Sequence, residues 1–177
     1  MGKYNSRKKK LIALTIIVAL QAQSVLPCCA AAVTPNNSAS VNNRNNVPVV
    51  DIVKPNASGL SHNKFTDFNV GKEGLVFNNV ANGQYKSVLA GQIAANNNLN
   101  GTPAKIILNE VTGGNISKLA GMMEIAGTKA DLIIANPNGI VGNGFGFINT
   151  KRATLTTGTP IINHNTLTGF NVTGGTV

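Results

Sequence analysis

Side chains capable of acid–base, nucleophilic or metal chemistry are few and widely spaced in this sequence. After residue 32 the chain has six carboxylates, two histidines and no cysteine. General acid–base cleavage of a polysaccharide, and binding of a divalent cation, both use clustered carboxylates. Neither histidine has a second ligand at zinc spacing. The residues considered are Asp51, Asp67, Glu73, Glu110, Glu124, Asp131, His62 and His164. The pattern predicts no catalytic, metal-binding or cofactor-binding residues.

A glycine-rich stretch near the C-terminal end is the nearest approach to a nucleotide-binding motif. Gly142, Gly144 and Gly146 alternate with larger residues. They precede no helical pattern, and no acid follows at the spacing that a dinucleotide site requires. No nucleophile-elbow sequence is present either. We interpret this stretch as a strand with one face kept small for close backbone approach.

Asparagine is the dominant polar residue, with 25 in the 145 positions after residue 32. Its side chain favours turns and amide hydrogen bonds over helices. Two Asn-rich tetrapeptides separate apolar runs: residues 96–99 (Asn-Asn-Asn-Leu) and residues 136–139 (Asn-Pro-Asn-Gly). In the second, Pro137 presets φ for a tight turn and Gly139 closes it without a Cβ clash. We interpret both as structural turns that also shape a recognition surface.

Between these turns the chain shows the pattern of short strands. Apolar runs of four to six residues recur with turn signals between them, and no stretch keeps a 3.6-residue period over twelve residues. The predicted fold class is all-β. A sandwich or barrel and a parallel β-helix both remain open. Single-Asn corners, apolar runs on both sides of them and a charged fraction of 12% favour the β-helix.

The segment over residues 1–32 has the pattern of a secretory signal peptide. Five basic residues precede an apolar run at residues 11–20, and small residues follow at 30–32. Ten apolar residues are too few for a membrane span, which needs about 20, so cleavage after Ala32 is predicted. Cys28 and Cys29 lie inside this segment. Lipid attachment to one of them is the alternative.

The net charge of +9 is concentrated in that first segment. Residues 33–177 carry 10 basic and 6 acidic side chains, a net of +4, scattered from Arg44 to Arg152. A nucleic-acid surface would gather them with aromatics on one face, so no nucleic-acid partner is predicted. The polar, aperiodic residues 33–46 predict a flexible Asn-rich leader. Phe65 and Phe68 predict a turn running into a strand that caps a core.

Five segments, taken in order, resemble the two-partner secretion domain of filamentous-haemagglutinin-like exoproteins, a group that includes haemolysins, adhesins and contact-dependent inhibition toxins. They are residues 56–70 (NASGLSHNKFTDFNV), 74–79 (GLVFNN), 107–113 (ILNEVTG), 135–140 (ANPNGI) and 146–158 (GFINTKRATLTTG). The resemblance covers residues 47–177. It implies a right-handed, single-stranded parallel β-helix with an N-terminal cap and extra-helical β-hairpins.

The same resemblance implies which residues matter for secretion. The family's two hallmark motifs map onto residues 136–139, where the match is complete, and onto residues 96–99, where Asn97 stands in place of the usual proline. We expect that change to loosen the first turn without changing its type. The implied secretion residues are Asn96, Asn97, Asn98, Leu99, Asn136, Pro137, Asn138 and Gly139.

The resemblance also implies a non-enzymatic role in export. The chain would enter the periplasm through the Sec machinery. An outer-membrane transporter with periplasmic POTRA domains would then recognise it and pass it to the cell surface or medium. There it would seed β-helix folding for an exoprotein that meets a host or neighbouring cell. Two alternatives remain: a stand-alone adhesin for glycan or host protein, and a β-helix polysaccharide enzyme using a carboxylate such as Asp131.

Two departures from the family pattern are visible. Many relatives carry two cysteines at the positions of Gly142 and Phe145, so a disulfide of those relatives is absent here and packing must replace it. Family exoproteins are also far longer, and this chain stops at residues 174–177 in the middle of a repeat. We therefore expect a fragment, a truncated product or a secretion-domain remnant.

Overall fold

The computed structural model describes residues 33–177, so the predicted signal peptide and both cysteines lie outside the described part. The described chain is almost entirely β-structure, with one 3₁₀ helix at Asn97–Leu99. The strands are β1 Val33–Pro35, β2 Ser40–Arg44, β3 Val47–Asp51, β4 Leu60–Phe68, β5 Leu75–Asn79, β6 Gln84–Ser87, β7 Gly91–Ala94, β8 Ile106–Val111, β9 Ser117–Leu119, β10 Met122–Gly127, β11 Asp131–Ala135, β12 Ile140–Gly142, β13 Gly146–Ile148, β14 Arg152–Thr156, β15 Thr159–Asn163 and β16 Thr166–Asn171.

Ten of these strands form two five-stranded sheets. Sheet A has the order β1-β4-β8-β11-β14, and sheet B has the order β13-β10-β5-β3-β2. Pairing is parallel throughout both sheets except at β1 and β2, which are antiparallel to their neighbours. The short parallel pair β9–β12, with a bridge between Val70 and Leu119, forms a third side. Successive strands of one sheet therefore belong to successive coils of a parallel β-helix.

The strand register shows where each coil begins and ends. Ile106, Asp131 and Arg152 are side by side in sheet A, so one coil runs from Ile106 to Asp131 and the next from Asp131 to Arg152. The all-β prediction is confirmed, and the β-helix is the observed architecture rather than a sandwich or barrel. The antiparallel strands β1 and β2 form the N-terminal cap.

The main core fills the interior of the coils. Three fully buried aromatic rings pack there: Phe65 lies 5.2 Å from Phe68 in an edge contact, and Phe68 is stacked 6.3 Å from Phe77. Buried aliphatic side chains from both sheets surround them. Aromatic pairs of this geometry add stabilisation beyond the burial of their area.

Two antiparallel hairpins lie outside the coils and cover outer sheet faces. Hairpin β6–β7 covers a cluster on sheet B that includes Val49, Val76 and Ala126. Hairpin β15–β16 covers Leu60, Leu108 and Ile133 on sheet A, with Leu167 and Phe170 against them. The strands β5, β8, β10 and β11 under these hairpins thus carry apolar residues on both faces, as expected where both faces are covered. Residues 33–177 contain no helix with the length and hydropathy of a membrane span.

The prediction of a flexible leader over residues 33–46 is wrong. Its first part is strand β1, which pairs with β4, and its second part is strand β2, which pairs with β3. Val41 is partly buried against the main core and Ala39 belongs to it. An edge strand needs little apolar alternation because most of its side chains are exposed, which explains why the sequence pattern did not reveal these strands.

Two local predictions are also corrected. Phe65 and Phe68 lie in one long strand, β4, rather than in a turn followed by a strand. The register with β1 skips Thr66, which marks a β-bulge that allows both rings to face the core. The glycine-rich stretch is not one strand but two, β12 and β13, with a corner at residues 143–145.

Candidate functional site: two asparagine corners

The corner at residues 136–139 follows the end of β11 and is built around a fully buried asparagine. The amide nitrogen of Asn136 donates to the carbonyl of Asn115 at 3.0 Å and to Oγ of Ser117 at 2.9 Å. Its Oδ1 accepts from the backbone N–H of Asn138 at 3.0 Å. The Gly139 N–H then closes the turn on the Asn136 carbonyl at 3.0 Å. One side chain thereby joins its own turn to the preceding coil.

The remaining residues of this corner complete the connection. The Asn138 amide donates to the carbonyl of Gly113 at 2.7 Å. Gly139 has φ of 121°, a conformation that L side chains rarely adopt, which explains the glycine there. The Asn136 N–H donates to the Thr156 carbonyl at 2.9 Å, in the following coil. The corner is therefore hydrogen-bonded to the preceding coil and to the following coil of the β-helix.

The corner at residues 96–99 repeats this arrangement earlier in the chain. Asn96 is 3% exposed, and its amide donates to the carbonyls of Ile52 at 2.9 Å and Asn78 at 3.0 Å. Its Oδ1 accepts from the Asn98 N–H at 3.0 Å, and the Leu99 N–H closes on the Asn96 carbonyl at 3.1 Å. The Asn98 amide reaches the Ile52 carbonyl at 3.3 Å. Asn97 occupies the position that Pro137 holds in the other corner.

The two corners share one hydrogen-bond pattern. The first asparagine is buried and binds another coil, the third uses both its N–H and its amide, and the N–H of the fourth residue closes the turn. Leaving a buried amide group without partners costs about 1–3 kcal/mol. The predicted turns are thus present at both places, with the same closing bond whether or not proline is at the second position. The exposed members are Asn97, Asn98 and Asn138, with Pro137 half-buried.

The absent disulfide has a packing counterpart. A Cβ at Gly142 would overlap the ring of Phe145, so that ring lies directly over the Gly142 backbone. Phe145 also makes an edge contact with Phe147, with centroids 5.8 Å apart. The two positions at which the family resemblance implies cysteines are thus in contact here through a phenyl ring.

Titratable groups of the described chain form separate ion pairs rather than one cluster of acids and histidines. His62 Nε2 lies 2.7 Å from Glu110 Oε2, with Lys64 at 4.0 Å. Asp131 pairs with Arg152 at 3.1 Å. Within residues 33–177 no three His, Cys, Asp or Glu side chains are placed to hold a metal ion. His164 lies in the turn of the β15–β16 hairpin, away from any such group.

The hydrogen bond from His62 lowers the pKa of the Glu110 carboxyl below its ordinary value of 4.5. Partial burial of Glu110 opposes this shift, and the charges of His62 and Lys64 add to it. Burial raises the pKa of the Tyr85 hydroxyl above 10.0, and the nearby Glu124 carboxylate acts in the same direction.

Glu124 is a structural anchor that the sequence did not reveal. Its side chain is fully buried on strand β10, and its Oε2 accepts from Oγ of Ser87 at 2.7 Å and from the Leu89 N–H at 3.0 Å. Its Oε1 accepts from the Val88 N–H at 3.0 Å. Several N–H and O–H donors can stabilise a buried carboxylate. This carboxylate fixes the β6–β7 hairpin to the outside of sheet B.

Comparison with known proteins places the chain among secretion domains. The family model described as "TPS secretion domain" matches residues 30–177. The chain is 48% identical over 171 residues to "tRNA nuclease CdiA" of Escherichia coli, covering 95% of this chain and 5% of that protein. It is 48% identical over 128 residues to "Hemolysin" of Proteus mirabilis, covering 72% of this chain and 8% of that protein. The chain thus spans about a twentieth of the length of the first of these relatives.

A solved structure agrees with both matches. The crystal structure of the filamentous hemagglutinin secretion domain superimposes with a TM-score of 0.71 at 46% identity, covering 76% of this chain and 45% of that one. The family match and the structural match agree with the observed coils and cap, and the chain belongs to the TPS secretion domain family.

Proposed function

We propose that this domain targets an exoprotein for two-partner secretion by binding, and that the two asparagine corners are the elements its partner requires. The partner is an outer-membrane transporter of the TpsB type, which engages the domain through periplasmic POTRA domains after Sec-dependent export. Strand addition is the binding mode, because extended, strand-forming segments are what the chain offers before its coils close. The domain passes to the cell surface or medium and seeds β-helix folding there.

The shared geometry of the corners is the observation that supports this proposal. Each corner joins its turn to another coil through one buried asparagine, Asn96 or Asn136. A coil cannot close correctly when that amide is missing, because the carbonyls it serves lose their donor inside the protein. The exposed residues of the corner are then presented in the wrong place. We therefore expect the transporter to require the same residues that the coils need in order to close.

The experiment is secretion of the full exoprotein in cells that carry its transporter. Replacing residues 136–139 with alanine should block release into the medium while periplasmic export continues. The matched control is Gln84→Ala with Gln92→Ala, which removes an exposed amide pair that bonds only to itself at 2.8 Å. The control should be secreted normally. Normal secretion of the alanine corner variant would refute the proposal.

The proposed action is binding without catalysis. Five of the six carboxylates serve separate structural contacts, such as the His62–Glu110 pair and the Glu124 anchor. Turnover of an acidic glycan by the purified chain, abolished in Asp131→Asn, would instead support the enzyme alternative.

A further inference from the structure

Four asparagines in this chain are followed directly by glycine: Asn82, Asn100, Asn138 and Asn143. An Asn-Gly pair can lose the side-chain amide without an enzyme, because glycine has no Cβ to keep its backbone nitrogen away from the asparagine side chain. All four pairs lie outside the strands, in corners and turns. Their surroundings differ, and those differences decide which pair can react while the domain is folded.

The reaction is an intramolecular substitution at the asparagine side chain. The backbone nitrogen of the glycine gives up its proton to hydroxide and attacks Cγ of the asparagine. The bond from Cγ to Nδ2 breaks, the nitrogen leaves as ammonia, and a five-membered succinimide ring remains. Water then opens the ring at either carbonyl and yields aspartate or isoaspartate. Hydrogen bonds that hold the glycine N–H or the side-chain amide oppose the attack, because they must open first.

The pair Asn138–Gly139 is protected by its own corner. The Gly139 N–H donates to the Asn136 carbonyl at 3.0 Å, so the attacking nitrogen is held in place. The Asn138 amide donates to the Gly113 carbonyl at 2.7 Å and to Asn136 Oδ1 at 3.0 Å, so the side chain under attack is held as well. Both sets of bonds must be released before the ring can close. This pair can therefore react only when the corner opens.

The pair Asn143–Gly144 has none of this protection. Both residues are exposed, at the bend between β12 and β13. Within residues 33–177 the Asn143 side chain makes no hydrogen bond, and neither does the backbone of Gly144 or Phe145. A Cβ at Gly144 would meet no atom within 4 Å, so the space around the attacking nitrogen is open. The bond from the Asn143 N–H to the Leu119 carbonyl, 2.8 Å, fixes only the start of the bend.

The remaining two pairs are exposed but lie in more constrained backbone. In the first pair, the Gly83 carbonyl accepts from the Ala95 N–H at 3.0 Å, which ties the glycine to the β6–β7 hairpin. The pair Asn100–Gly101 lies inside a turn that the Thr102 N–H closes on the Leu99 carbonyl at 3.0 Å. Ring closure rotates the backbone between asparagine and glycine, and these hydrogen bonds resist that rotation. We therefore expect both pairs to react more slowly than the pair at residues 143–144.

We propose that Asn143 is a self-modification site, which converts to aspartate or isoaspartate in the folded domain while Asn138 stays intact. The conversion places a carboxylate at the bend, and isoaspartate also adds a methylene group to the main chain ahead of β13. The same reaction at Asn138 would set a carboxylate against the Gly113 carbonyl, in the corner that we propose the transporter requires. Folding thus protects the corner, and conversion at Asn143 increases with the time since folding.

The test is peptide mapping by mass spectrometry after incubation of the purified chain in mildly alkaline buffer, with and without urea. Chromatography separates the aspartate and isoaspartate forms of each peptide. In the folded chain Asn143 should convert at least about tenfold faster than Asn138 and several-fold faster than Asn82 and Asn100. In urea the four pairs should convert at similar rates. Conversion of Asn138 as fast as Asn143 in the folded chain, or of Asn143 no faster than Asn82 and Asn100, would overturn the proposal.

Hydrogen exchange and matched variants give independent readouts. The Gly139 amide should be protected from exchange, and the Gly144 amide should exchange near the rate of an unstructured peptide. Asn143→Gln should slow conversion at that position strongly, because the longer side chain would have to close a six-membered ring. The control Asn82→Gln should leave the Asn143 rate within about twofold of the original, since the change is at a separate site. Equal protection of the two glycine amides, or an altered Asn143 rate in the control, would contradict the proposal.

Discussion

The imidazole of His62 and the carboxylate of Glu110 lie 2.7 Å apart on neighbouring strands of sheet A. The pKa of Glu110 is lowered below 4.5, so its contribution to stability is present above pH 4.5 and is lost as the pH falls through the folded-state value. The thermal midpoint should therefore fall between pH 6 and pH 3.5 by less in Glu110→Gln than in the original chain. Glu73→Gln, at an exposed site, should keep the original pH dependence.

The backbone at Asn97 has a conformation that is compatible with proline. Asn96 has φ of −81° and ψ of 111°, a conformation that a residue before proline prefers, and the Asn97 N–H donates no hydrogen bond within the described chain. Asn97→Pro should raise the free energy of unfolding by about 0.4–1 kcal/mol because it restricts the unfolded chain. Denaturant unfolding would measure it.

The neighbouring position provides the control for that substitution. The Asn98 N–H donates to Asn96 Oδ1 at 3.0 Å. Asn98→Pro removes this bond and should lower stability by about 1 kcal/mol or more. Stabilisation by both proline variants would contradict the shared corner geometry.

The Glu124 anchor predicts a local opening. In Glu124→Gln an amide NH₂ group faces donors from Ser87, Val88 and Leu89, which need acceptors. The variant should lose about 1–3 kcal/mol of stability, and hydrogen exchange should accelerate most in residues 84–94. Gln92→Ala, exposed on the same hairpin, should leave exchange there nearly unchanged. Uniform acceleration over all strands would mean that Glu124 supports the coils rather than the hairpin.

Gly121 marks a close approach between coils. A Cβ at this position would overlap the Gly71 carbonyl oxygen, which belongs to rigid backbone. Gly121→Ala should therefore cost about 1–3 kcal/mol, the range of overpacked interiors. Gly169→Ala, where nothing lies within 4 Å of the added carbon, should change stability by no more than about 0.5 kcal/mol. Thermal or urea unfolding of the two variants compares them directly.

The sequence predicted the features that depend on local chemistry. Pro137 restricts φ and Gly139 allows a positive φ, which together predict a turn, and Asn136 and Asn138 supply its hydrogen bonds. The corner at residues 136–139 was predicted for this reason, and the corner at residues 96–99 was predicted from its run of asparagines. The inward placement of both Phe65 and Phe68 was missed in detail because a bulge at Thr66 depends on the register with β1.

Features that depend on stacking were not predictable from the sequence. Lys105, Lys129 and Lys151 are far apart in sequence. Their positions on adjacent coils can be predicted only when the number of residues in each coil is known. Glu124 stands in an apolar strand, and nothing near it in sequence shows that the turn after β6 supplies its donors. Residues 33–46 lack periodicity, and only the sheets they border give them strand structure.

The antiparallel cap gives the domain a direction of assembly. Strands β1 and β2 precede the coils in sequence and occupy one edge of each sheet. A chain that emerges N-terminus first can close that edge once β3 and β4 have followed. Over β8, β11 and β14 each later strand then pairs with the strand one coil before it. Closing such short loops costs little entropy at each step. The coils can therefore fold one after another, in sequence order, starting from the cap. Each folded coil would oppose backward movement of the chain that follows.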